Sequence, residues 1–167
     1  PTHDGRGLLL IAQDGARLMR CEVGAWTCGE AKPMPAQSTH LTPLPGTELV
    51  AGSWGEAIAV FDPETLERRT WGEGPEARDL LEGHTGRLLS FEVGPEGRLA
   101  ISTSVDHSGR VWDLQEGRLL ATFETERGWM QPLRMLDGGQ RALYGTTEGR
   151  AELRELPSGR LIQAIEG

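Results

Sequence analysis

A chain of 167 residues is long enough for one domain with a sizeable core. Its hydrophobic content of 37% is low for a globular protein but not disordered, and 23 glycines with 10 prolines call for frequent turns and short elements. The net charge of -8 excludes the basic footprint that nucleic-acid binding needs.

In chain order, Pro1-Thr2-His3-Asp4-Gly5 reads as a turn, and ARLMRCEVGAW follows at Ala16–Trp26. A run from Gln37 to Leu44 comes next, then AVFDPETLERR at Ala59–Arg69. From Arg87 the pattern is sharpest. A run to Val93 meets the turn Gly94-Pro95-Glu96-Gly97, and a second run spans Arg98 to Ser104. A turn at Asp106 to Gly109 leads to Arg110–Leu114, and Gln115-Glu116-Gly117 leads to Arg118–Glu124. A last group begins with Met130 to Leu136 and ends near Gly167. Each run is short, apolar or alternating, and bounded by turn residues, which is strand chemistry. The short links favour antiparallel neighbours.

These groups repeat. Leu156-Pro157-Ser158-Gly159-Arg160-Leu161-Ile162 matches Leu114-Gln115-Glu116-Gly117-Arg118-Leu119-Leu120. A third-strand signature recurs as Met19-Arg20, Phe61-Asp62, Trp112-Asp113 and Arg154-Glu155. Two of the three spacings are about 42 residues and the middle one is nine longer, within or near the roughly 40–45 residues of a four-stranded propeller blade.

In the third copy, Gly83-His84, Ser102, Asp106 and Trp112-Asp113 resemble a WD40 repeat. The other three copies keep the period and turns but lose the signature. The resemblance implies an all-β fold: a β-propeller of four-stranded antiparallel blades, approximately 1–31, 36–71, 87–124 and 130–166. Copies two, three and four each have a run before their Gly/Pro turn, and copy one has none. Fifteen strands are therefore expected, with the first blade lacking its first strand. Because known WD40 propellers close with roughly seven blades, part of a longer propeller is expected. Closure by four blades, or self-association into an eight-blade ring, are the other possibilities.

The resemblance also implies that His84, Ser102, Asp106 and Trp112 form a buried hydrogen-bonded chain. A buried carboxylate needs its oxygens satisfied, an imidazole can do that, and a serine can serve both imidazole and indole. The same set holds Ser, His and Asp, but a serine within a repeated strand lacks the exposed cleft a nucleophile needs. Asp113 is expected to cap the Gln115–Gly117 turn.

The implied activity is non-catalytic: a protein–protein interaction or sensor module, the regulatory part of a larger bacterial protein. The alternative is a structural segment that completes a ring or drives oligomerisation, and a propeller enzyme or ligand-binding domain is a third reading. The expected partners are other proteins, the rest of a parent chain or another propeller segment, and neither nucleic acid nor membrane. Candidate contact residues are Trp54, Trp71, Arg127 and Trp129, because tryptophan and arginine dominate binding hot spots. The extra residues of the long spacing are expected in the same loop region, within Gly72 to Glu82.

His3, His40, His84 and His107 are scattered, so neither metal nor cofactor is expected. Cys21 aligns with Leu114 and Cys28 with Ala121, diagonal positions too far apart for an unstrained disulfide, so free thiols are expected. Only Lys32 among the 17 basic residues is lysine, the mark of GC-rich, bacterial-type coding. No stretch reaches membrane-span length and no signal peptide is recognised, and the expected compartment is the cytoplasm.

Overall fold

The computed structural model describes residues 7–11, 17–22, 25, 27–35, 38, 40–124, 130–147 and 149–166. Among the described residues, every regular element of appreciable length is a strand. The strands are β1 (Gly7–Ile11), β2 (Arg17–Glu22), β3 (Thr27–Cys28), β4 (Lys32–Pro33), β5 (Leu41–Pro43), β6 (Val50–Trp54), β7 (Ala57–Phe61), β8 (Leu88–Val93), β9 (Leu99–Ser104), β10 (Ser108–Asp113), β11 (Arg118–Glu124), β12 (Met130–Leu136), β13 (Arg141–Thr146), β14 (Arg150–Glu155) and β15 (Leu161–Glu166). They form four antiparallel sheets, one per sequence copy, as expected of propeller blades. The chain divides into two compact units, residues 1–83 with the first two sheets and 84–167 with the last two.

In the first unit, β1 pairs with β2, and both β3 and β4 pair with β2 on its other side. The outer strand of this sheet is thus in two pieces. The second sheet has three strands, β5-β6-β7. Its outer edge is filled by bridges rather than a fourth strand: Phe61 pairs with Arg68 and Ile58 with Leu81. Between those bridges Trp71 and Arg78 exchange backbone hydrogen bonds of 2.8 and 3.0 Å around a short 3-10 turn at Gly74–Glu76. The extra residues therefore interrupt the fourth strand itself, instead of forming a loop after it. A strand tolerates this at an edge, where one side of the ladder is already unpaired.

The core of this unit comprises Leu18, Met34, Val50, Ala59 and Phe61, with Leu9, Ile11, Leu41 and Trp54 packed against it. Full burial of each large apolar side chain is worth about 1.5–3 kcal/mol. Gly52 is required within it. A Cβ there would stand 2.0 Å from the His40 carbonyl oxygen, which accepts the Ser53 N–H at 3.0 Å.

The second unit is more regular, with sheet orders β8-β9-β10-β11 and β12-β13-β14-β15. One face of the third sheet, through Ile101, Val111 and Phe123, packs on Leu133, Ala142 and Tyr144 of the fourth. β9 is buried from Ala100 to Ser104, whereas β15 exposes five of its six residues. At Gly109 a Cβ would meet the Phe123 ring at 2.3 Å, so only glycine lets that ring lie flat on the sheet.

Turn chemistry repeats with the period. Asp62 Oδ1 accepts the backbone N–H groups of Glu64 and Thr65 at 2.6 and 3.0 Å. Asp113 Oδ1 accepts those of Gln115 and Glu116, both at 3.0 Å, as expected of its turn-capping role.

The expectation of free thiols is overturned: Cys21 and Cys28 are disulfide-bonded, with Cα atoms 4.0 Å apart. The alignment set Cys21 on Leu114, the last residue of the third run, with Cys28 diagonal to it. The strand instead continues to Glu22. That shift displaces the reversal and sets Cys21 directly opposite Cys28 in the ladder.

Candidate functional site

The third sheet carries a chain of buried polar groups. His84 enters from the segment before β8, Ser102 from β9, Trp112 from β10 and Asp106 from the link between β9 and β10. Trp112 Nε1–H donates to Ser102 Oγ at 2.8 Å. Ser102 Oγ lies 2.8 Å from His84 Nε2, and His84 Nδ1 lies 2.9 Å from Asp106 Oδ2. Ser102 is fully buried and Trp112 is 1% exposed.

Asp106 is satisfied throughout. Its Oδ2 also accepts the Thr85 N–H at 3.0 Å, and its Oδ1 accepts the Ser108 N–H at 2.9 Å and the Ser108 hydroxyl at 2.7 Å. Burial works against ionisation, but these donors, led by the Thr85 N–H, outweigh it and hold the carboxyl well below the usual carboxylate range. Burial is also the largest influence on His84 and lowers its pKa. The Asp106 hydrogen bond and charge oppose that shift without reversing it, and Arg110 reinforces it. The imidazole is therefore neutral near pH 7. It donates Nδ1–H to Asp106 and accepts the Ser102 hydroxyl proton at Nε2, which makes the contact a hydrogen bond rather than an ion pair.

This geometry makes a poor triad. The serine is sealed from solvent, and its oxygen already receives the indole proton. Its work is to lock the link before β8 onto β9 and β10.

The fourth sheet holds a second buried cluster that the sequence reading missed. Tyr144 and Arg154 stand 42 residues after Ser102 and Trp112. Arg154 Nε donates to Tyr144 Oη at 2.9 Å, and Arg154 Nη2 to Glu152 Oε2 at 2.8 Å. The Tyr144 hydroxyl donates to that same carboxylate. Arg154 Nη1 reaches the Gly159 carbonyl at 2.8 Å. Burial first, then the Glu152 carboxylate, raises the Tyr144 pKa, so the phenol stays neutral. The period was the available signal: where one copy places Ser and Trp, the next places Tyr and Arg, which can also make a donor–acceptor chain.

Of the candidate contact residues, Trp54 and Trp71 lie among the described residues. Trp54 closes β6, half-buried, edge-on to Phe61 with ring centroids 5.1 Å apart. The Arg68 guanidinium lies 5.2 Å from the Trp54 centroid, and Arg68 Nε donates to Asp79 at 2.8 Å. Trp71 is only 5% exposed, which corrects its reading as a contact residue: it opens the small hairpin with its ring turned inward. Arg127 and Trp129 lie outside the described residues. Arg68 and Asp79 complete the surface around Trp54. Nothing in the sequence pointed to their pairing, because it depends on the interrupted edge strand.

Four antiparallel sheets at blade spacing, one with a buried His–Ser–Trp–Asp chain, are similar to the blades of WD40-repeat proteins. No family model matches the chain. Among curated proteins it is similar to the small ribosomal subunit protein RACK1y of Oryza sativa subsp. japonica, 26% identical over 118 residues, 71% of this chain and 32% of that protein. It is also similar to the NACHT domain- and WD repeat-containing protein 1 of Mus musculus, 28% identical over 125 residues, 71% of this chain and 7% of that protein. A third is the p21-activated protein kinase-interacting protein 1-like of Xenopus laevis, 32% identical over 72 residues, 43% of this chain and 17% of that protein. The chain spans about a third or less of the length of these relatives.

Proposed function

We propose that this chain is a non-catalytic protein–protein interaction or sensor module, the regulatory part of a larger bacterial protein in the cytoplasm. The names of two relatives support the class: one is an interacting protein of a kinase, and another joins WD repeats to a NACHT domain. The observation that carries the reading is Trp54. Its ring is half-buried and capped by a guanidinium that Asp79 holds in place. An aromatic and an arginine presented together, with part of each exposed, is the composition of a binding hot spot.

The test is retention of partners by the immobilised chain, compared between wild type and Arg68→Glu. That change reverses the capping charge and leaves the Trp54 ring in the core. We expect the variant to keep the far-UV circular dichroism of wild type and to lose at least tenfold in partner retention. Equal retention would remove Trp54 and Arg68 from the contact surface.

A second reading, a segment that completes a ring or drives oligomerisation, has its own observation. β15 exposes Leu161, Ile162 and Ile165 at 40%, 43% and 51% along a strand edge, and such edges invite pairing. Light scattering over a concentration series separates the two. A mass near 18.2 kDa throughout favours the first reading. A concentration-dependent dimer abolished by Ile162→Lys favours the second.

A further inference from the structure

The disulfide has an asymmetric setting. Cys21, in β2, is 6% exposed, and Cys28, in β3, is exposed. β3 is only two residues long, and both are exposed. Cys28 lines a cleft of about 480 Å³ together with Arg20, Thr27, Lys32 and Glu64. The cleft lies in the first unit, beside the gap between the two pieces of the outer strand. The bond joins residues seven apart. A loop that short constrains the unfolded chain less than a long one does. In the cytoplasmic compartment of the proposed function, on which this inference rests, a disulfide is usually transient and either catalytic or redox-sensing.

We propose that Cys21 and Cys28 form a reversible thiol–disulfide pair, with Cys28 the site of exchange with a soluble monothiol of the glutathione type and Cys21 the buried resolving thiol. The monothiol's thiolate attacks Cys28 Sγ. A mixed disulfide forms, the Cys21–Cys28 bond breaks, and its electron pair leaves on Cys21 Sγ, which takes a proton from water. A neutral buried thiol is a comfortable core group. Cys21 can attack the mixed disulfide and expel the monothiol, because the ladder holds it directly opposite Cys28. Alternatively a second monothiol attacks the sulfur of the first, releasing the Cys28 thiolate, which is protonated. Two monothiols are then oxidised to their disulfide, and the protein disulfide is reduced by two electrons and two protons.

Reduction removes the covalent tie between β3 and β2 and leaves backbone bonds, among them the Gly29 N–H to the Arg20 carbonyl at 2.9 Å. The edge of the first sheet and one wall of the cleft are then free to open. The pair acts as a redox-controlled clasp on that edge.

The experiment equilibrates the intact chain across ratios of reduced to oxidised glutathione, quenches by alkylation, and counts thiols and adducts by peptide mass spectrometry. We expect a complete transition from disulfide to dithiol within the range of ratios used. In Cys21→Ser the glutathione adduct on Cys28 should exceed the adduct on Cys21 in Cys28→Ser at least tenfold. Amide exchange at Thr27 and Gly29 should accelerate at least tenfold on reduction. A disulfide that persists in millimolar reduced glutathione, or a dithiol that persists in the oxidised buffer, would overturn reversibility. Equal adducts in the two variants would overturn the assignment of the exchanging sulfur, and equal amide protection would overturn the clasp. The wild-type titration does not depend on either variant folding.

Discussion

The Arg154 guanidinium lies 4.4 Å from the centroid of the Phe123 ring, and Phe123 in turn stacks on Tyr144 at 5.7 Å. Arg154 belongs to the fourth sheet and Phe123 to the third. A cation thus sits in the joint between two sheets, satisfied by Tyr144, Glu152 and a backbone carbonyl.

Removing that cation takes from Glu152, only 4% exposed, its closest ion-pair partner and leaves it the Tyr144 hydroxyl and the Arg150 guanidinium at 3.7 Å. Losing one partner of a buried pair costs about 3–5 kcal/mol. Arg154→Ala should lower the denaturant midpoint accordingly. Arg154→Met with Glu152→Gln should recover much of the loss. A single-variant cost below about 1 kcal/mol would mean that water reaches the cluster.

The pH dependence of stability follows from His84 and Asp106. The folded chain holds His84 below its ordinary value, near 6.5 in an unfolded chain. Below that pH the unfolded chain takes up a proton that the folded chain resists, so stability falls as pH drops and is flat above it. Asp106 acts in the same direction at lower pH. Its folded pKa is depressed, the unfolded carboxyl protonates near about 3.9, and its stabilisation is lost as pH falls below that. Thermal midpoints from pH 8 to 3 should therefore decline in two stages. His84→Gln should lack the first, and Asp106→Asn should shrink the second, which Asp113 and Glu155 share.

Ser102 illustrates the asymmetry of buried hydrogen bonds. Ser102→Ala orphans the Trp112 indole N–H and the His84 Nε2 together, at about 1–3 kcal/mol for each group. Thr122→Ala, on exposed β11, should stay within about 0.5 kcal/mol of wild type. Urea denaturation of the two variants measures the difference. A Ser102→Ala cost as small as that of Thr122→Ala would show that the three-residue contact contributes nothing net.

Gly109 is held by contact with an aromatic ring. A methyl there would lie 2.3 Å from Phe123, which is itself pinned by Tyr144 and Arg154. Gly109→Ala should cost about 1–3 kcal/mol as overpacking. Gly29→Ala, whose nearest neighbour would be the Arg20 carbonyl oxygen at 3.8 Å, should be close to neutral. Calorimetry of both variants decides it.

The repeat period, the turn residues and the one well-kept signature were enough to read all-β architecture, four blade-like units and the His84–Ser102–Asp106–Trp112 set. Those features are local: a strand's alternation and a turn's aspartate act within a few residues, and copies at a fixed offset must fold alike. Register was not local. The continuation of β2 to Glu22, paired with Thr27, sets Cys21 opposite Cys28, and no alternation pattern encodes where a strand stops. The same holds for the outer edge of the second sheet, where Phe61 and Ile58 find Arg68 and Leu81 on either side of an inserted hairpin.

What the sequence determined, then, is the kind of unit and how often it recurs, because hydrophobic period and turn chemistry are properties of short segments. What only the tertiary structure decided is which polar groups meet. Tyr144, Glu152 and Arg154 form a site because β13 and β14 pair in a register that sets Tyr144 opposite Glu152, and it is buried because Phe123 of the third sheet lies over it; Arg68 caps Trp54 because an interrupted strand returns to its edge. Both depend on packing in three dimensions, where a shift of one or two residues changes every partner.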